Sequence, residues 1–281
     1  MSETSVKEQI LDARLRGLGS VLVAFSGGVD SAYLAVRAHR VLGAGSLAIT
    51  ADSESLAEEQ RSTARSLAQE FGFAHAFVRT EEFQSPLYLR NSLDRCYHCK
   101  RELFGALLPL ARQRGLASVA YGFLADDLQD FRPGQKAAIE AGVLAPMAEA
   151  GLVKAEVREL SRELGIPIWN RPASPCLSSR VPYGTPVSGP TLRRIEDAES
   201  RIRALGFKEF RVRHFGKKAR VEIAPDELPR IVREGLADLI VSGVRGAGYE
   251  EVAIDPEGYR RGRLNAEGPG SGVSLPTSGR L

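Results

Sequence analysis

Three shortages bound this 281-residue chain before any motif is read. No uninterrupted apolar stretch reaches the length that crosses a bilayer, and Met1-Ser-Glu-Thr-Ser has neither the basic nor the apolar region of a secretory leader. A cytoplasmic protein is the expectation. Excess charge is scarce too: 38 Lys and Arg against 35 Asp and Glu leave a net +3, which argues against a general nucleic-acid coat and still allows a local anion site. Cysteine is the third shortage. There are 3 cysteines, which cannot all pair, and a reducing compartment would keep them as thiols, so a chemical role has to be weighed. No internal repeat is evident, and the length suffices for a substantial core in one or two domains.

What is present begins with Val21-Leu-Val-Ala-Phe25, an apolar run of the kind buried in a parallel sheet, leading directly into Ser26-Gly-Gly-Val-Asp-Ser31. Apolar residues at helical spacing follow from Ala32 to Leu42. The turn therefore joins a strand's carboxyl end to a helix's amino end, where backbone N–H groups lack intrahelical partners and the helix dipole favours an anion. Gly27 and Gly28 allow close approach of the backbone, and Ser26 and Ser31 add hydroxyl donors. Asp30 would be repelled by phosphates unless Mg²⁺ lay between them. A plain Ser/Gly turn with Asp30 capping the helix is the competing reading. No Gly-Lys-Ser/Thr follows, so this is not the lysine-bearing nucleotide loop. Ser-Gly-Gly-Val-Asp-Ser instead resembles the PP-loop of ATP pyrophosphatases, which cleave ATP between the α and β phosphates and adenylate an acceptor.

Strand and helix signals continue to alternate: Leu47–Thr50, the helical Ser55–Phe71, Ala74–Val78 and Ser118–Tyr121. This predicts an α/β fold with a doubly wound, mainly parallel sheet. Ligands bind beyond the carboxyl ends of such strands, which puts Thr50, Asp52 and Ser53 beside the nucleotide. Lys154–Leu164 reads as an amphipathic helix closed by Gly165, and the proline-rich span Pro167–Pro190 marks a boundary. A helix over Thr191–Leu205, strands Glu209–His214 and Ala219–Ile223, a helix from Pro225 and a strand Glu251–Ile254 then form a smaller α+β domain. The expected division is 1–178, 179–262 and a Gly/Ser/Pro-rich tail, 263–281, that reads as disordered.

Cys96-Tyr-His-Cys99-Lys100 has the spacing in which two thiolates reach one metal site, and Cys176 lies far off within Pro172-Ala-Ser-Pro-Cys-Leu-Ser-Ser-Arg180. Together with the Ser26–Ser31 loop, Asp126-Asp127, Asp130-Phe-Arg-Pro-Gly134 and Pro172–Gly184, these segments resemble the LarE family over about residues 5–262. The run from Pro172 to Gly184 is the most specific. Tyr121-Gly-Phe-Leu-Ala-Asp-Asp127 departs from the Gly-Thr-Asn that the family more usually carries before its acidic pair; Gly122 and Asp126 are the nucleotide contacts expected there.

The resemblance implies an ATP-dependent sulfur transferase acting on a pyridinium mononucleotide with two carboxylates, in the synthesis of the nickel-pincer nucleotide cofactor. A carboxylate is a poor electrophile; adenylation gives it a good leaving group that a sulfur nucleophile can displace. In family members with a single cysteine, the residue matching Cys176 gives up its own sulfur and becomes dehydroalanine. Cys96, Cys99 and Cys176 together look like the subgroup whose three thiolates hold a [4Fe–4S] cluster with one iron open to exogenous sulfide. Two buried thiols plus a sacrificial one, or a zinc site using His98, remain the alternatives. Asp30, Lys100 and Cys176 are the expected catalytic residues.

The substrate's phosphate needs a cationic site. Arg211 and Arg213 point to one face of a strand, Phe210 and Val212 to the other. A two-residue turn at Gly216-Lys217 would set Val212 opposite Val221, Arg211 opposite Glu222, and Arg213 opposite Arg220, and two opposed arginines call for a nearby anion. A merely solvated charged face is the competing reading. The resemblance favours phosphate binding, with Arg180, Glu199 and Lys100 near the same pocket. Expected partners are the mononucleotide, a sulfide donor and further copies of the chain, without membrane or nucleic acid.

A tRNA thiolase or an amidating PP-loop enzyme would share adenylation. No RNA-binding extension is evident, and only about twenty residues precede the loop, which leaves no room for a glutaminase domain there. A nucleotide-responsive binding protein without turnover would carry the same fold.

Overall fold

A computed structural model describes residues 2–129, 133–260 and 263. Asp130-Phe-Arg132 of the sequence motif, and the tail read as disordered, lie outside the described residues apart from Arg263. The chain runs α1 (Glu3–Leu18), β1 (Val21–Ala24), α2 (Val29–Leu42), β2 (Ser46–Asp52), α3 (Glu58–Phe71) and β3 (His75–Arg79). It continues through α4 (Pro86–Leu89), α5 (Arg95–Gln113), β4 (Ser118–Tyr121), α6 (Pro133–Glu140), α7 (Pro146–Glu149) and α8 (Lys154–Glu163). The last elements are α9 (Gly189–Ala204), β5 (Phe210–Phe215), β6 (Lys218–Ile223), α10 (Leu228–Arg233), α11 (Ala237–Gly246) and β7 (Glu251–Ile254). Described residues of Met1–Glu82 and Asp94–Ser174 form one compact unit, and those of Phe83–Leu93 and Pro175–Leu281 a second.

The first unit is a parallel sheet in the order β3-β2-β1-β4. Both its faces are covered, which is why β1 reads as an unbroken apolar run. Val21 and Val23 join a core with Leu11 and Leu15 of α1, the buried face of α2, Leu67 of α3 and Val157 of α8. Leu22 and Ala24 turn the other way, onto Leu103, Phe104 and Leu107 of α5. From β1 the chain steps to β2 and β3 on one side, then crosses to pair β4 with the opposite edge of β1. That reversal of direction, at the carboxyl ends of β1 and β4, is where open α/β sheets bind ligands.

The helix after the glycine turn starts at Val29, three residues before the first residue of the apolar pattern. Its first turn, Val29-Asp30-Ser31, is partly polar because it faces the site, so the pattern begins late. The sequence reading gave no element to Cys96–Cys99. The structure places the pair in the opening turn of α5, a helix with Pro109 inside it.

In the second unit β5 and β6 are antiparallel and β7 is parallel to β6. The register is the expected one: Val212 faces Val221, Arg211 faces Glu222 and Arg213 faces Arg220, around a Gly216-Lys217 turn. Gly216 has φ +66°, the left-handed region that such hairpin turns require. Phe210, Val212, Val221 and Ile223 pack with Ala198 and Ile202 of α9 and Ile240 and Val244 of α11. This unit also takes in Phe83–Leu93, a segment within the span 1–178 expected for the first domain. Fully buried Asn91, at φ +54°, ties that segment in through its side-chain amide, which donates to the carbonyls of Val181, Pro182 and Thr185 at 3.3, 2.8 and 2.8 Å.

Candidate active site

In the first unit the Ser26–Ser31 loop is held by its own hydroxyls. Ser31 Oγ donates to the Gly28 carbonyl at 3.0 Å, accepts from the Ser26 amide at 3.2 Å and lies 3.1 Å from Ser26 Oγ. Gly27 has φ +72°, and a Cβ there would stand 3.0 Å from the Gln60 carbonyl oxygen of α3, so both conformation and space require glycine. Gly28 caps α2 with extended backbone, and a Cβ on it would meet nothing nearer than Ser26 Oγ at 3.4 Å. Gly122 closes the opposite wall: a Cβ there would approach the Ser31 amide nitrogen to 2.8 Å.

These residues enclose a cavity of about 100 Å³ at the sheet's point of reversal. Ala24, Ser26, Gly28, Asp30 and Ser31 form one side, with Lys100, Tyr121 and Gly122 opposite. The volume is below the roughly 300–1,000 Å³ of a pocket for a whole small molecule, and suits a phosphate group. Asp30 is ion-paired to Lys154, whose ammonium reaches both carboxylate oxygens at 2.6 and 2.8 Å. Asp126 Oδ2 accepts from the Lys154 backbone amide at 3.1 Å. Asp126 therefore connects to the loop through Lys154 and does not itself line the cavity.

The residues expected beside the nucleotide on β2 stand outside that lining. Buried Thr50 shares a 2.9 Å hydrogen bond with His75, whose imidazole pKa is lowered by burial and by the charge of Arg65. Asp52 is ion-paired with Arg61, which donates from Nε at 3.2 Å. Ser53 Oγ lies 2.9 Å from Ser55 Oγ, and Ser55 donates to buried Glu82 at 3.3 Å. Sequence reasoning missed Lys154 and Tyr121. Lys154 had one available signal: a lysine opening a helix stands at the wrong end of the helix dipole.

Cys96 is exposed, Cys99 and Cys176 are half-buried, and none forms a disulfide. Cys96 and Cys99 are one turn apart on α5, a spacing that puts both thiols on one helix face, and Lys100 lies one turn beyond Cys96. That suits two ligands of one metal site. Among the described residues, no group of three or more His, Cys, Asp or Glu side chains is gathered to hold a metal ion. His98, between the two thiols, pairs its Nε2 with Asp94 at 3.1 Å.

In the second unit Arg180 is 3% exposed and almost fully engaged. Nε and Nη2 donate to Glu199 at 2.9 and 3.0 Å, and Nη1 donates to the carbonyls of Pro175 and Cys176 at 2.6 and 3.2 Å. The guanidinium thus clasps the Cys176 loop to α9. Burial disfavours charge on both partners, and their mutual attraction outweighs it: the Arg180 pKa is raised and the Glu199 pKa lowered. Glu199 also accepts from the Val212 amide at 3.1 Å.

The anion between the opposed arginines belongs to the protein. Arg213 donates to Glu222 at 2.8 Å and Arg220 to its other oxygen at 3.1 Å, with Glu222 fully buried. Arg213 also donates to the Ser179 carbonyl at 3.0 Å. Arg211 differs: it lies over the Tyr259 ring at 4.8 Å, and its pKa is lowered by burial and then by the Arg180 charge. An anion reaching Arg211 would relieve that excess of positive charge.

No family model matches the chain. It is 43% identical over 248 residues to an uncharacterised protein of Synechocystis, covering 88% of this chain and 92% of that protein. An uncharacterised protein of Methanocaldococcus jannaschii is 27% identical over 240 residues, with 85% and 90% covered. Pyridinium-3,5-bisthiocarboxylic acid mononucleotide synthase of Lactiplantibacillus plantarum is 35% identical over 267 residues, 94% of this chain and 96% of the synthase. Identity at that level along nearly the whole of both chains, on a doubly wound parallel sheet with a smaller mixed sheet after it, leaves one assignment: the chain belongs to the LarE family.

Proposed function

We propose that this protein is an ATP-dependent sulfur transferase that converts a carboxylate of a pyridinium biscarboxylate mononucleotide into a thiocarboxylate, on the route to the nickel-pincer nucleotide. The observation that carries the reading is the cavity at the reversal point of the sheet, where the Ser26–Ser31 loop faces Lys100. A cation, two hydroxyls and a helix amino end there suit a phosphate chain. The synthase name of the relative supplies the product class.

On this reading a substrate carboxylate oxygen attacks the α-phosphorus of ATP, the bond to the β-phosphate oxygen breaks, and pyrophosphate leaves. Ser26, Gly28 and Ser31 would hold the phosphates and Lys100 would offset the charge of the leaving group. Asp30 would hold Mg²⁺, which when bound neutralises phosphate charge. Thr50, Asp52, Ser53, Gly122 and Asp126 would bound the rest of the nucleotide. Arg211 would take the mononucleotide's phosphate, with Arg213, Arg180 and Glu199 fixing the surrounding frame. Sulfur then attacks the acyl carbon and AMP departs. If the sulfur is that of Cys176, loss of its Cα proton and cleavage of its Cβ–S bond release the thiocarboxylate and leave dehydroalanine. Cys96, Cys99 and Cys176 would be the ligands of a [4Fe–4S] cluster, which would supply an open iron for sulfide.

The test is purified protein mixed with ATP and the biscarboxylate mononucleotide, read for AMP, pyrophosphate and thiocarboxylate. A protein that binds ATP and releases neither AMP nor pyrophosphate is a binder and overturns the reading. Anaerobic iron and sulfide analysis, with the intact mass after turnover, assigns the sulfur. About four irons per chain and an unchanged mass support the cluster; loss of the mass of H₂S from Cys176 supports sacrifice.

A further inference from the structure

Lys154 is an unusual cation for its place. It opens α8, so its ammonium stands at the positive end of that helix, and it reaches Asp30 in the first turn of α2, beside the positive end of another. Two helix amino ends attract anions and disfavour a lysine. The fold supports it there all the same, through Asp126, which accepts from the Lys154 amide at 3.1 Å, and through Asp30. The ion pair itself is half-open: the side chains are 37% and 26% exposed for Lys154 and Asp30. Pairs in such surroundings contribute little to stability, so exchange of partners is inexpensive. Both oxygens of Asp30 are engaged by the ammonium. A divalent cation approaching Asp30 therefore competes with Lys154 for those oxygens.

We infer that Lys154 is a place-holding cation: it neutralises Asp30 while the site is without nucleotide, and transfers to the β and γ phosphates of ATP when Asp30 turns to the metal. The inference rests on the reading of the Ser26–Ser31 cavity as an ATP site. The four-carbon stem keeps the ammonium within reach of the cavity wall that Asp30 forms. Lys154 thereby makes a contact specific to the pyrophosphate half of ATP, one that AMP cannot make.

Calorimetric titration tests this with AMP and with an ATP analogue carrying a methylene between the α and β phosphorus atoms, both with Mg²⁺. Lys154→Met should weaken the analogue by about tenfold or more and leave AMP within about twofold, since one charge-assisted contact is lost. Lys154→Arg should recover most of the loss. Unchanged affinity of Lys154→Met for the analogue overturns the inference, leaving the lysine as a neutraliser of Asp30 alone. Equal loss of both ligands also overturns it, as the mark of a structural role. Wild-type protein that binds neither ligand refutes the ATP-site reading itself, and the inference with it.

Discussion

At the scale of single residues, the site separates groups that hold the fold from groups that wait for a ligand. Asp30 is a waiting group, its partly exposed carboxylate ion-paired to the Lys154 ammonium. Asp30→Ala should abolish formation of AMP and pyrophosphate while shifting stability by about 1 kcal/mol or less, measured by denaturant titration. Normal turnover would remove Asp30 from the mechanism. The two arginines of β5 differ in what holds them. Arg213 is one of two cations on fully buried Glu222, so Arg213→Ala should cost stability as well as binding. Burial and then the Arg180 charge disfavour the Arg211 cation, while Glu199 favours it. Arg211→Ala should weaken the mononucleotide about ten- to a hundredfold and spare ATP. A large fall in melting temperature for Arg211→Ala would make it a structural residue.

At the scale of elements, the two walls of the phosphate cavity tolerate substitution differently. A Cβ on Gly28 meets nothing nearer than Ser26 Oγ at 3.4 Å, whereas one on Gly122 meets the α2 backbone at 2.8 Å. Gly28→Val should therefore fold normally and bind ATP poorly; Gly122→Ala should lower the melting temperature before any effect on ligand is read. The reverse pattern would place the phosphates elsewhere. Legibility follows the same distinction between local and distant causes. The β5–β6 register was readable because two-residue periodicity and a two-residue turn are local facts. Most of α5 was hidden by a polar opening, Arg95-Cys-Tyr-His-Cys-Lys-Arg-Glu, and by Pro109. The Lys154–Asp30 pair spans 124 positions, and Glu222 as the anion between Arg213 and Arg220 depends on burial that no sequence pattern marks.

At the scale of the whole molecule, stability should depend on pH through two imidazoles, half-buried His75 in the first unit and buried His214 in the second. His75 and His214 both have pKa values lowered by burial, reinforced by Arg65 and Arg194 respectively. Each stays neutral in the folded chain at pH values where the unfolded chain binds a proton. Their contribution is therefore full above the ordinary histidine value of about 6.5 and is lost as pH falls below it. Denaturant midpoints should drop on going from pH 7.5 to 5.5, and His214→Gln should flatten part of that slope. A slope unchanged in His214→Gln would assign the acid sensitivity to other groups.

The passage of Phe83–Leu93 into the second unit bears on how the chain is made. The ribosome delivers this segment in the middle of the first unit, yet the carbonyls awaiting Asn91 lie 90, 91 and 94 residues further along. While the nascent chain lengthens, the Asn91 amide has to wait in water for those carbonyls. Closing so long a loop is slow compared with forming neighbouring helices. Docking of Phe83–Leu93 is thus deferred until residues 181–185 have been made.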